Sequence, residues 1–129
     1  AIVTGAGSGI GLSIVKSLIN QGYLVEACTR AKRDKLDNYI EEISPDLRKN
    51  ISIRTFDINN SVDVKENIVS IYNTYKQIDA LVNCAGVPQG GLFNLTKIDV
   101  RLISCILSSI YRIFPGISYR LAKPCVLKQ

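Results

Sequence analysis

Eight residues near the start of the chain, Thr4-Gly5-Ala6-Gly7-Ser8-Gly9-Ile10-Gly11, combine a glycine-rich spacing with a position between two regular elements. The apolar run Ala1-Ile2-Val3 precedes them and an amphipathic helical period follows. Glycines let a backbone turn sharply and come close to a pyrophosphate. A helix that opens directly afterwards offers free N–H groups and the positive end of its dipole to that anion. The chemistry this arrangement supports is capture of a dinucleotide phosphate, with a plain strand-to-helix turn as the alternative. Its placement after a strand and before a helix favours the nucleotide. Gly5, Ser8, Gly9, Ile10 and Gly11 are therefore candidate cofactor-binding residues.

The end of the second apolar run bears on which dinucleotide. A carboxylate there would accept from an adenosine ribose 2′-hydroxyl and select NAD. This chain has Thr29 followed by Arg30 instead. A guanidinium can pair bidentately with a 2′-phosphate, and no carboxylate is placed to repel it. Glu26 lies inside the strand, short of the ribose. NADP is the expected cofactor, ahead of NAD, with a solvated loop arginine as the alternative reading of Arg30.

Other chemistries lack their residues. The 129-residue chain has no His, which removes imidazole acid–base catalysis, His-based triads and the usual zinc sites. Its four cysteines, Cys28, Cys84, Cys105 and Cys125, form no Cys-x-x-Cys pair. They read as reduced thiols of a cytoplasmic protein, two of them in core strands. No metal site is expected. The net charge of +5 is concentrated late: residues 1–79 carry ten basic and ten acidic groups, and residues 80–129 carry six and one. Scattered in this way, without interleaved aromatics, the excess suits a solvated helix face better than a nucleic-acid groove. The uncharged stretch Leu102 to Tyr111 is too short to span a bilayer.

Short apolar runs alternating with helical periods predict βαβ units around a parallel sheet. Strands are expected at Ala1–Val3, Tyr23–Cys28, Ile51–Phe56 and Ile78–Val82. A helix from about Gly9 to Gln21 carries Ile10, Ile14, Val15, Leu18 and Ile19 on one stripe, closed by Gly22. A second carries Leu36, Tyr39, Ile40 and Ile43 and stops before Pro45. A third is capped by Ser61 and buries Val64, Ile68, Ile71, Tyr72 and Tyr75. A last helical pattern runs through Ile103, Ile106, Leu107, Ile110, Phe114 and Ile117, interrupted at Pro115-Gly116. No strand is expected after residue 98. The expectation is one Rossmann-type, doubly wound α/β domain over 1–129, with strand order 3-2-1-4 and incomplete at both ends.

Three stretches together carry a family likeness. The first turn has the form Thr-Gly-x-x-x-Gly-Ile-Gly, and with it this chain resembles the short-chain dehydrogenases/reductases. Phe56-Asp57-Ile58-Asn59 is similar to the family's Asp after the third strand. Asn83-Cys84-Ala85-Gly86 is similar to its Asn-Asn-Ala-Gly motif after the fourth, with Cys in second place. The resemblance implies that Asp57 accepts from the adenine amino group with Ile58 beside it, and that Asn83, Ala85 and Gly86 border the cofactor. It further implies hydride transfer between a nicotinamide and a small carbonyl or secondary alcohol, for example by a 3-oxoacyl or ketone reductase. A homo-oligomer stays open.

In this family a Tyr acts as general acid/base and a Lys four residues later lowers its pKa, because a phenol near its ordinary pKa is a poor base at neutral pH. Tyr119-Arg120-Leu121-Ala122-Lys123 fits that pattern, making Tyr119 and Lys123 the candidate catalytic pair. A second registration matches Ile106-Leu107-Ser108-Ser109 to the family's Asn-Leu-Ser-Ser segment and treats residues 99–123 as the helix after the fourth strand. It accounts for the missing fifth strand, for the mere 36 positions between Asn83 and Tyr119, and for Pro124 directly after Lys123. On this registration, which the spacing favours, the chain is the dinucleotide-binding half of such an enzyme and does not itself catalyse.

Overall fold

In the computed structural model, which describes residues 1–31 and 33–86, the alternating pattern resolves into four strands and four helices. In chain order these are β1 (Ile2–Thr4), α1 (Gly9–Asn20), β2 (Val25–Thr29), α2 (Asp34–Glu42), α3 (Pro45–Arg48), β3 (Ile51–Thr55), α4 (Ser61–Tyr75) and β4 (Leu81–Asn83). All strand pairings are parallel, in the order β3-β2-β1-β4. This is the expected Rossmann-type α/β arrangement.

Period-two alternation divides the sheet residues between two cores. On one face Ile2, Cys28 and Phe56 pack with Val64, Ile68 and Ile71 of α4. On the other Val3, Val25 and Ala27 pack with Leu12, Val15 and Ile19 of α1 and Leu36 of α2. Residues in register share a face: Ile2 with Glu26 and Leu81, Val3 with Ala27 and Val82. Both faces of β1 and β2 are clothed, and every residue of those strands is buried.

Local chemistry sets the boundaries, and it moves several of the expected ones. Gly22, at φ 84°, closes α1: its N–H donates to the Ile19 carbonyl, and the Tyr23 N–H to that of Leu18. Tyr23 therefore belongs to the helix's closing turn, and β2 begins two residues later. Pro45 does end the reach of α2. It also opens α3, where its missing N–H is no loss and the Ser44 hydroxyl accepts from the Leu47 N–H at 3.5 Å. The cap of α4 is Asn60 and not Ser61, because the Asn60 side-chain oxygen accepts from the N–H groups of Val62 (3.1 Å) and Asp63 (3.5 Å). Cys28 is buried in β2 as expected, whereas Cys84 is half-buried just past β4 and not within a strand; both are free thiols. Among the described residues no helix is long and apolar enough to cross a membrane. The expected helix beyond residue 98 and the absence of a later strand concern residues outside the described ones.

Candidate functional site

Parallel strands deliver their C-terminal ends to one edge of the sheet, so the turns that leave β1, β2, β3 and β4 meet there. They enclose a cavity of about 460 Å³. The β1 turn contributes Gly5, Gly7, Ser8, Ile10 and Gly11. The end of β2 contributes Cys28, Thr29, Arg30 and Ala31, and the β3 turn contributes Phe56, Asp57, Ile58 and Asn59. Cys84, Ala85 and Gly86 close it from β4. Nine of the expected cofactor residues thus line a single cavity: Gly5, Ser8, Ile10, Gly11, Arg30, Asp57, Ile58, Ala85 and Gly86. Gly9 and Asn83 flank it without lining it.

The glycines make this convergence sterically feasible. At Gly5, φ is +67°, and a Cβ would come within 2.7 Å of the Ala85 nitrogen and 2.8 Å of the Cys84 carbonyl carbon. The β1 turn therefore lies directly on the β4 turn. A Cβ at Gly11 would overlap the carbonyl oxygen of Gly5, so helix and turn also pack backbone to backbone. Gly9 differs: φ is +56°, but a Cβ there would meet nothing within 4 Å. It leaves open the space in front of the first turn of α1. Ser8 caps α1 without a side-chain hydrogen bond, and no acidic residue sits in that first turn. The helix thus keeps its positive end toward the cavity. Ile10, 77% exposed, projects from the same turn and lines the cavity.

Thr4 joins two of the three motifs. Its hydroxyl accepts from the N–H groups of Cys84 and Ala85, both at 3.2 Å, and donates to the Val82 carbonyl at 3.5 Å. The side chain is buried at the end of β1, in register with Asn83. Sequence reasoning read this threonine as part of a pattern and assigned it no structural task.

At the end of β3, Asp57 takes the form of an Asx turn. Its Oδ1 accepts from the Asn59 backbone N–H (2.9 Å) and side-chain Nδ2 (3.0 Å) while the residue still lines the cavity. Arg30 is exposed at the rim. Glu26, inside β2 as expected, is 2% exposed and pairs with Arg54 of β3 at 2.9 Å. Burial pushes the Cys28 thiol up to about 12, reinforced by the charge of Glu26 and opposed by Arg54; desolvation also raises that of Cys84. Cys28 is thus held as a neutral, inert wall.

Residues that line the cavity without having been expected there are Gly7, Cys28, Thr29, Ala31, Phe56, Asn59 and Cys84. All adjoin expected ones, so their signal was adjacency to the motifs. The ionisable side chains among the described lining residues are Arg30, Asp57, Cys28 and Cys84. None is a Tyr or Lys. Tyr119 and Lys123, together with the competing registration over 99–123, lie outside the described residues. Among those described, no three metal-ligating side chains gather.

Comparison with known proteins bears on this geometry. The family model for short chain dehydrogenases matches residues 1–111. The chain belongs to this family. An uncharacterized oxidoreductase of Staphylococcus haemolyticus is 38% identical over 87 residues, covering 67% of this chain and 36% of that protein. The 3-oxoacyl-(acyl-carrier-protein) reductase FabG of Staphylococcus epidermidis is 34% identical over 97 residues, covering 75% of this chain and 39% of its own. The actinorhodin polyketide ketoreductase, solved with NADPH, superposes with a TM-score of 0.68 at 25% identity, over 86% of this chain and 45% of that one. The chain thus matches 36–45% of the length of these proteins.

Proposed function

We propose that this short-chain dehydrogenase chain is one NADP-preferring nucleotide-binding domain that grips the adenosine and pyrophosphate part of the dinucleotide. Such a domain serves hydride exchange between the nicotinamide and a small carbonyl or secondary alcohol, a 3-oxoacyl or ketone substrate among them. The observation that carries this reading is the convergence of the three motifs on one cavity, with Arg30 in its lining and the first turn of α1 free of a side-chain cap hydrogen bond.

The residues present suit the group. The start of α1, where Gly7, Ser8 and Gly11 line the cavity, would receive the pyrophosphate, since N–H groups and dipole both favour an anion there. Arg30 would pair with the 2′-phosphate, and Asp57 with Ile58 would border the adenine. Ile10, Ala85 and Gly86 would line the path toward the nicotinamide and exclude water from it. The bound cofactor supplies the hydride. Held by its own turns, this chain orients the cofactor and sets which one enters. The free thiols of Cys28 and Cys84 suit a cytoplasmic enzyme acting on a small molecule, without nucleic acid or membrane as partner and with self-association left open.

A second reading, dinucleotide binding without turnover, is favoured by the cavity lining among the described residues, which includes no Tyr or Lys. Two measurements separate these readings. Titration of the chain with NADPH and with NADH, followed by cofactor fluorescence, should give tighter binding of NADPH. Equal affinities, or none, would defeat the NADP assignment. An assay with NADPH and a generic ketone, on the unmodified chain and on Tyr119→Phe, tests catalysis. Turnover abolished by that substitution would establish Tyr119 as the acid/base, whereas binding without turnover supports the second reading.

A further inference from the structure

Glu26 and Arg54 form a buried ion pair that the glycine turns, the cavity lining and the proposed cofactor contacts leave unexplained. The carboxylate is 3% exposed and the guanidinium 24%. Arg54 Nε donates to Glu26 Oε2 at 2.9 Å, and its Nη1 donates to the Ser70 hydroxyl at 2.9 Å. The pair thereby ties β2, β3 and α4 together. Replacing such a pair by apolar residues is often neutral or stabilising, so stability alone is a poor reason for one. Its position offers another. Arg54 is in register with Cys28, one residue short of Thr29, and Phe56 follows two residues later. Cys28, Thr29, Phe56 and Asp57 all line the cavity. The same carboxylate borders a second hollow at the opposite edge of the sheet, which Asp79 also lines.

We propose that Arg54 is a specificity-determining residue: by cancelling the charge of Glu26, inside the strand that ends at Thr29, it allows a 2′-phosphate to be accepted beside Arg30. This rests on the NADP reading above. A bare carboxylate at Glu26 would lie four residues before Arg30, about 13 Å along an extended strand. Through partly buried protein that distance still transmits repulsion to a phosphate dianion, whereas in bulk salt most of it would be screened. The arginine also anchors the end of β3 to α4, which fixes where Asp57 enters the cavity.

The test compares adenosine 2′,5′-bisphosphate with 5′-AMP as competitors of cofactor binding, at low ionic strength, on the full chain. The quantity read is the ratio of their affinities. Arg54→Met leaves the carboxylate unpaired and should lower the preference for the 2′-phosphate by roughly three- to tenfold. Glu26→Gln leaves the guanidinium and should raise it. The double variant should restore the parent ratio. A role confined to packing predicts a loss for both ligands alike and no change of opposite sign, and that result would overturn the proposal. If Arg54→Met does not fold, the Glu26→Gln and double variants decide alone, through a raised ratio and its return. Failure of the unmodified chain to prefer the 2′-phosphate would instead defeat the NADP reading itself, and the proposal with it.

Discussion

Replacing Thr4 by valine would test whether the first and last turns of the site are held as a unit. Valine is close to threonine in shape but carries no hydroxyl, so it fills the buried position at the end of β1 without accepting hydrogen bonds. The N–H groups of Cys84 and Ala85 then lose an acceptor at 3.2 Å each. At about 1 kcal/mol for each hydrogen bond left unmade in a half-buried loop, the expected loss is about 2 kcal/mol. Spread over the unfolding entropy of a 129-residue chain, that corresponds to a melting temperature lower by about 7 °C. The Cys84–Gly86 turn would also move away from Gly5, whose missing Cβ leaves room for its close approach. NADPH affinity should therefore fall together with stability. Thermal unfolding followed by circular dichroism, alongside a cofactor titration, reads both quantities. Thr4→Ser keeps the hydroxyl and should retain most of each. A Thr4→Val protein that melts with the parent and binds NADPH equally well would refute the reasoning, since the hydroxyl would then be joining nothing.

Three further expectations follow from the same geometry. Thr29→Asp places an acceptor for a 2′-hydroxyl and a charge against a 2′-phosphate at the end of β2. With a charge-assisted contact worth about 1.5–3 kcal/mol, cofactor preference should shift toward NADH by at least about tenfold, measured as the ratio of dissociation constants. Gly9→Ala forces a side chain into a left-handed conformation, at a cost of roughly 1–2 kcal/mol, and sets a methyl in the space facing α1. Binding should weaken by more than stability alone accounts for, which a titration of the still-folded variant would reveal. The Cys28 thiol, raised by burial from 9.0 to about 12, makes stability depend on alkaline pH. The unfolded chain releases this proton first, so the contribution is complete below pH 9 and is lost between pH 9 and 12, at up to about 1.4 kcal/mol per pH unit. Urea midpoints across that window should fall less steeply for Cys28→Ala than for the parent.

What the sequence reveals and conceals here follows from how local each determinant is. The glycine turn, the Asp57 turn and the Asn83–Gly86 turn are legible because each is written in consecutive residues at the end of an apolar run. The strand order follows from the Rossmann-type fold that those turns point to. Thr4 is different, because its partners lie 80 and 81 residues away and a hydroxyl in a strand looks alike whether or not it is used. The Glu26–Arg54 pair spans 28 residues and becomes visible only once β2 and β3 are placed in register. Asn60 and Ser61 are both good capping residues, so sequence cannot rank them, while the backbone settles on Asn60. Pro45 is ambiguous in another way: it reads as the end of a helix, and here it is also the start of the next.

The central strand β1 has a consequence for how this chain is made. The β2 partners of residues 2–4 follow roughly twenty residues later in the chain, Ile2 meeting Glu26. Their other partners, Leu81 to Asn83, are nearly eighty residues away. A nascent chain can therefore lay down β1, β2 and β3 as a three-stranded sheet while one side of β1 still waits for β4. Through that interval an apolar strand at the middle of the finished sheet is a temporary edge, open to pairing with any other extended segment. The interval closes as β4 docks, and the same docking seats Cys84 and Ala85 on the Thr4 hydroxyl. Covering that edge and closing the cavity are thus a single event in the folding of the chain.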